Sequence, residues 1–173
     1  MKNRLVILLL VSIPILTHAQ ELRRNNLYVE LAGASKYYSV NYERLLLSND
    51  EYNITLRGGL MYLYIFDASD HTIAGIPIGA SYLKQYKNDY FEAGVSFALI
   101  RDMYTYAISP PIKVDELILM SSIRAGIRHQ PKDKNLFWNL LAQISMTAHS
   151  ESEIYKPYTD FFPLFSAGVG YSF

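Results

Sequence analysis

The sequence contains no cysteine, which excludes disulfides, thiolate metal sites, cysteine nucleophiles and the lipid-modified cysteine of a bacterial lipoprotein. It also has no excess of charge. Sixteen basic residues stand against 16 acidic ones, leaving no basic field to hold nucleic acid and no acidic tail to solvate the chain. Past Gln20 there is no window of about 18 apolar residues, so a helical membrane span is excluded for that part of the chain. Tryptophan occurs once, but tyrosine occurs 15 times and phenylalanine 8 times. Tyrosine is the amphipathic ring favoured at membrane interfaces. At 173 residues the chain has the length of one domain.

The start of the chain has its own organisation. Met1 to Arg4 carries two positive charges, Leu5 to Leu16 is almost wholly apolar, and Thr17-His18-Ala19 precedes Gln20. This is the order of a secretory signal, and it predicts cleavage after Ala19. The apolar stretch is short of the roughly 20 residues that a transmembrane helix needs. The expected organisation is a signal peptide over 1–19, a short lead over 20–26 and one folded unit over 27–173.

That unit alternates. Near the C-terminus Phe165, Ala167, Val169, Tyr171 and Phe173 interleave with Ser166, Gly168, Gly170 and Ser172, giving one greasy face and one small, polar face. The same period of two predicts eight strands. These are Leu27 to Ala34, Tyr37 to Leu46, Asn53 to Tyr64, Ile73 to Tyr86, Tyr90 to Ile100, Leu117 to His129, Leu136 to Thr147 and Phe162 to Phe173. Ser48-Asn49-Asp50, Lys87-Asn88-Asp89 and residues 131–135 are short, polar turn signals. The connections 65–72, 101–116 and 149–161 are longer, so short turns gather at one end and long loops at the other, as in an outer-membrane barrel. Tyr82, Tyr86, Phe91, Trp138, Tyr171 and Phe173 fall toward the short-turn end, and Tyr38, Tyr62, Tyr64 and Phe165 toward the other, as two aromatic girdles would. The fold class expected is all-β: a transmembrane antiparallel up-and-down barrel of about eight strands.

With its signal segment, its strand count and the terminal Val169-Gly170-Tyr171-Ser172-Phe173, the chain resembles the small outer-membrane barrels of the outer membrane protein A and X type. The resemblance covers Leu27 to Phe173. It implies residence in a bacterial outer membrane, with membrane lipids as surroundings and the barrel assembly machinery as a partner during biogenesis. It also gives Tyr171 and Phe173 the role of assembly signal. A periplasmic peptidoglycan-binding module like that of outer membrane protein A is not expected after Phe173.

An eight-strand barrel is wide enough only for its own side chains. The inward face is expected to hold Glu30, Glu43, Arg57, Glu92, Arg124 and Arg128, together with Asn139 and Gln143. Gly75, Gly79, Ser96, Gly126, Ser166, Gly168 and Gly170 are expected to leave them room. Three acids meet three arginines, which reads as a charge-balanced structural network rather than a conduit. Glu43 and Arg57 flank the turn at 48–50 symmetrically and are expected to face one another, with Leu46 opposite Ile54 and Val40 opposite Leu60. The function expected is a non-enzymatic envelope barrel presenting loops for adhesion or partner binding, without cofactor or metal. One alternative is a lipid deacylase at the rim using His149, since histidine, serine and carboxylate occur together in His149-Ser150-Glu151. Adjacent residues on an extended strand point to opposite faces, which argues against His149 and Ser150 acting as a pair. A narrow transport barrel is the other alternative. Asp67, Asp70 and His71 are too common a set to specify a metal site.

Overall fold

A computed structural model describes residues 23–49, 51–66, 71–87, 89–106, 112–131, 134–150 and 159–173. The signal segment 1–19 lies outside them, as do Asp67, Asp70, Pro110, Pro111 and Glu151. The described chain forms eight strands: β1 (Asn25–Leu31), β2 (Tyr38–Ser48), β3 (Tyr52–Ile65), β4 (His71–Tyr86), β5 (Asp89–Tyr106), β6 (Ile112–His129), β7 (Leu136–His149) and β8 (Thr159–Ser172). Each pairs antiparallel with its neighbour in sequence, and β8 pairs with β1, so the sheet closes into an up-and-down barrel without a free edge. Closure also tilts the strands. Register partners followed once around the sheet from Tyr171 run through Leu27, Tyr42, Gly58, Ile78, Phe97, Ser121 and Met146 and return to β8 at Phe161. That stagger is the shear that sets strand tilt and barrel width.

Two turns show how local chemistry ends the strands. Tyr86 pairs with Asp89, leaving a two-residue connection in which Lys87 takes a positive φ of 57°. The hand of such a tight hairpin requires that left-handed backbone. Between β2 and β3 the Asn49 side chain accepts the backbone N–H of Glu51 at 3.0 Å and of Tyr52 at 2.8 Å, as turn asparagines do.

The structure corrects several strand ends and one register. β1 ends at Leu31 instead of Ala34, because Ala32 adopts a φ of 51° and Lys36 N–H bonds the Gly33 carbonyl to close a turn. Residues 101–116, expected as a loop, are mostly strand: β5 runs on to Tyr106 and β6 begins at Ile112, with Tyr104 opposite Val114. The alternation carries through this stretch, with Val114, Glu116, Ile118 and Met120 all on the inward side. In β2 the register shifts between Leu45 and Leu47, so Leu47 rather than Leu46 meets Ile54. The bulge spares the remaining pairs: Glu43 lies opposite Arg57 and Val40 opposite Leu60.

The two faces of the sheet invert the usual order of a folded protein. Outward-facing Leu60, Ile123, Ile144 and Phe165 are 68%, 72%, 69% and 79% exposed, while Glu30, Glu43, Glu92 and Arg128 are completely buried inside. Two apolar clusters cross the lumen. Leu45, Leu83 and Tyr90 form one toward the short-turn end. Met61, Ile73, Ala98, Ile100 and Met120 form the other toward the long-loop end, with Leu63, Ile118, Phe162 and Leu164 packed on it. The polar residues lie between.

Candidate functional site

All six charged residues expected inside the barrel are in its lumen, where they form one continuous chain of alternating sign. Arg57 Nη1 meets Glu30 Oε2 at 2.6 Å, and Glu30 Oε1 meets Arg124 Nη1 at 2.6 Å. Arg124 Nη2 meets Glu92 Oε1 at 2.7 Å, and Glu92 Oε2 meets Arg128 Nε at 2.9 Å. Arg128 then grips Glu43 with two nitrogens, at 2.6 and 3.0 Å. Neutral groups saturate the carboxylates further. Asn26 Nδ2 and Thr55 Oγ1 donate to Glu43, Ser81 Oγ donates to Glu92, and the Tyr28 hydroxyl accepts from Arg57 at 3.1 Å. Asn139 donates to Glu92, while Gln143 turns its amide to the carbonyls of Ala32 and Gly33.

Glu43 and Arg57 are register partners but not charge partners. Each arginine is long enough to reach across the lumen, so its contact is decided by what lies over the barrel axis and not by its neighbour on the next strand. Glycine makes this reach possible: a Cβ on Gly79 would stand 2.8 Å from Arg57 Nε, and one on Gly168 would overlap Asn139 Oδ1. Charges this deeply buried are tolerated only when paired and hydrogen-bonded. The ladder pairs every charge, three carboxylates with three guanidiniums, while Arg57 Nε and Nη2 and Arg124 Nε are buried without a hydrogen-bond partner.

The mouth at the long-loop end holds a second polar group. Asp102 of β5 and Glu116 of β6 are register partners, both facing inward, and each is met by a histidine from the outer flank. His71 Nε2 lies 2.6 Å from Asp102 Oδ1, and His149 Nδ1 lies 2.8 Å from Glu116 Oε1. Tyr37, in the connection from β1 to β2, has its phenol raised above the usual range by burial and by the Asp102 carboxylate. The cavity beneath, bounded by Lys36, Tyr37, Ile73, Ile100 and Thr147, measures about 30 Å³, space for roughly one water. Sequence reasoning missed Asp102 and Glu116 because it placed 101–116 in a loop. In the sequence the run from Val114 to Met120, with Asp115 and Glu116 adjacent and Leu117 to Met120 all apolar, breaks the alternation of apolar and polar residues that located the other strands.

His149 and Ser150 diverge. Ser150 Oγ accepts the Leu117 backbone N–H at 3.0 Å while its own N–H bonds the Leu117 carbonyl at 2.9 Å. His149 thus has a carboxylate partner, and the adjacent serine is committed to the backbone of β6. Among the described residues no group of three or more His, Asp or Glu side chains is placed to hold a metal ion. Tyr171 and Phe173 lie on the outer face at the short-turn end, both about half exposed. Phe173 N–H bonds the Asn25 carbonyl at 2.8 Å, and Asn25 N–H bonds the Phe173 carbonyl at 3.1 Å, so the last residue completes the seam between β8 and β1. Compared with family models, with curated proteins and with solved structures, the chain finds no match.

Proposed function

We propose that the chain is an integral outer-membrane barrel of a diderm bacterium, exported by its signal segment and non-enzymatic, with the short turns in the periplasm and the long-loop end outside. The inside-out distribution of polarity carries this reading. A barrel in water would leave a contiguous band of Leu60, Ile123, Ile144, Phe165 and their neighbours wet while burying six charges, the reverse of what water favours. Lipid makes both faces favourable. The band has suitable height: the outward column on β5 from Phe91 to Leu99, at about 3.3 Å per residue and about 40° of tilt, stands roughly 20 Å tall. Above it the exposed Arg101–Asp115 ion pair marks a return to water. Exposed Tyr82, Tyr86, Phe91 and Trp138 ring the lower edge, and Tyr62, Tyr64 and Phe165 the upper.

The lumen favours a structural role over transport, because an ion or solute would meet two apolar clusters and a ladder of paired charges. The mature protein is expected in the outer-membrane fraction with Gln20 as its first residue and, refolded in planar bilayers, to give no conductance steps. Recovery in the soluble fraction with residues 1–19 retained would overturn the proposal.

The resemblance supplies a second test. Phe173→Ser leaves the seam's backbone pairing intact and removes an outward side chain, so the unfolding free energy of refolded protein is expected to change by less than about 0.5 kcal/mol. In cells the same change should lower the amount of assembled barrel several-fold. Equal cellular levels of the two proteins would remove the assembly role from Phe173.

A further inference from the structure

The outer wall carries two cations inside its lower aromatic girdle. Arg44 of β2 and Lys84 of β4 point outward among Tyr42, Tyr52 and Tyr82, where the remaining outward side chains above them are apolar. Tyr52 is the register partner of Lys84 and stacks on Tyr82 with centroids 5.4 Å apart. The Tyr42 hydroxyl is tethered to Asn25 Oδ1 at 2.7 Å. Arg44 shares a row with Leu56 and Ala80, and since the rows climb along the chain order of the strands, the tilt brings Lys84 toward the height of Arg44. Neither cation forms an ion pair among the described residues. The opposite rim is built differently: its outward Arg101 is neutralised by Asp115, at 2.8 Å from Nε to Oδ1.

We propose that this collar of Arg44, Lys84 and their flanking tyrosines is a binding site for the phosphate headgroup of anionic phospholipid in the periplasmic leaflet. The inference rests on the outer-membrane reading and gives it a lipid preference. Burying an unpaired arginine or lysine at a membrane boundary is unfavourable unless its head reaches phosphate, and both stems are long enough to extend from the apolar wall into the headgroup layer. Tyrosine completes the site by lying at the same depth, with its ring in the acyl boundary and its hydroxyl among the headgroups. Selectivity should therefore be electrostatic and sensitive to salt.

The test uses the mature chain refolded into phosphatidylcholine vesicles containing spin-labelled phosphatidylglycerol or spin-labelled phosphatidylcholine, with the protein-restricted fraction of each read by electron spin resonance. At low salt the restricted population should favour phosphatidylglycerol by about five-fold per cation, the equivalent of about 1 kcal/mol each. Arg44→Gln and Lys84→Gln should each remove one such factor and the double variant nearly all selectivity, while Lys113→Gln at the other rim leaves it unchanged. The single variants keep the measurement available where the double variant fails to refold. Equal restriction of the two lipids by the parent protein, or an equal loss in Lys113→Gln, would overturn the collar. Restriction of neither lipid would instead overturn membrane insertion itself.

Discussion

Replacing Arg128 with methionine is expected to destabilise the refolded barrel by about 3 to 5 kcal/mol, more than the loss of either other arginine in the charge ladder. Arg128 is the only cation that meets Glu43 among the described residues, with both side chains fully buried. Without it the Glu43 carboxylate keeps the Asn26 amide at 2.7 Å and the Thr55 hydroxyl at 3.1 Å, neutral donors that do not compensate a buried charge. Arg57→Met removes the opposite end of the ladder, but Glu30 retains Arg124 at 2.6 Å, so the loss there should be nearer 1.5 to 3 kcal/mol. Adding Glu43→Gln to Arg128→Met should recover most of the deficit, because Glu92 still holds Arg124 and charge balance returns. Arg128→Lys should not restore stability, since one ammonium cannot reproduce a guanidinium that spans Glu92 and Glu43 at once. Urea unfolding of protein refolded in vesicles measures all four. An Arg128→Met variant no less stable than Arg57→Met would show that the ladder does not end as described.

The same ladder marks how far sequence reading reaches. Alternation with period two exposes which residues face inward, because a strand's geometry converts spacing directly into side. Counting back from a turn then predicts register, and Glu43 does lie opposite Arg57. Pairing of charges is another matter. Arg124 is joined to Glu30, far away in sequence, through the width of the barrel, and nothing in the local pattern encodes that distance. A double-mutant cycle of Glu43→Gln and Arg57→Met should therefore show a smaller coupling than one of Glu43→Gln and Arg128→Met, whose side chains are in direct contact. The bulge at Leu46 escapes for a related reason: a run of three leucines, Leu45, Leu46 and Leu47, satisfies either face, and closure of the sheet chooses between them. At the mouth the inward residues change from small and polar to Met, Ile and Val, so a template of apolar outside and polar inside fails although the strands continue. Asp102 and Glu116 were lost with that template.

Two glycines should respond in opposite directions to larger side chains. Gly58 of β3 lies on the outer wall, and a Cβ built there meets no atom within 4 Å. Gly58→Val should stabilise the barrel by up to about 1 kcal/mol, by restricting the unfolded chain and suiting an extended backbone. Gly170 of β8 faces the lumen between Tyr28 and Phe137, its register partners on β1 and β7. A Cβ there would overlap Tyr28 Cβ, which no rotamer change can withdraw, and stand 2.8 Å from Phe137 Cε1. Those two rings meet edge to face at 5.6 Å and support both ends of the ladder. The Tyr28 hydroxyl holds Arg57, and the Arg128 guanidinium lies 5.1 Å above the Phe137 ring. Gly170→Leu should accordingly destabilise the barrel by about 3 kcal/mol or more, through overpacking that moves a ring at each end of a buried charge network. Strand propensity alone forecasts a gain at both positions, since glycine is disfavoured within strands. Parallel unfolding curves decide the matter. A gain or a neutral result for Gly170→Leu would mean that β8 does not carry that face inward, and with it the lumenal assignment of Ser166, Gly168 and Ser172 would fall.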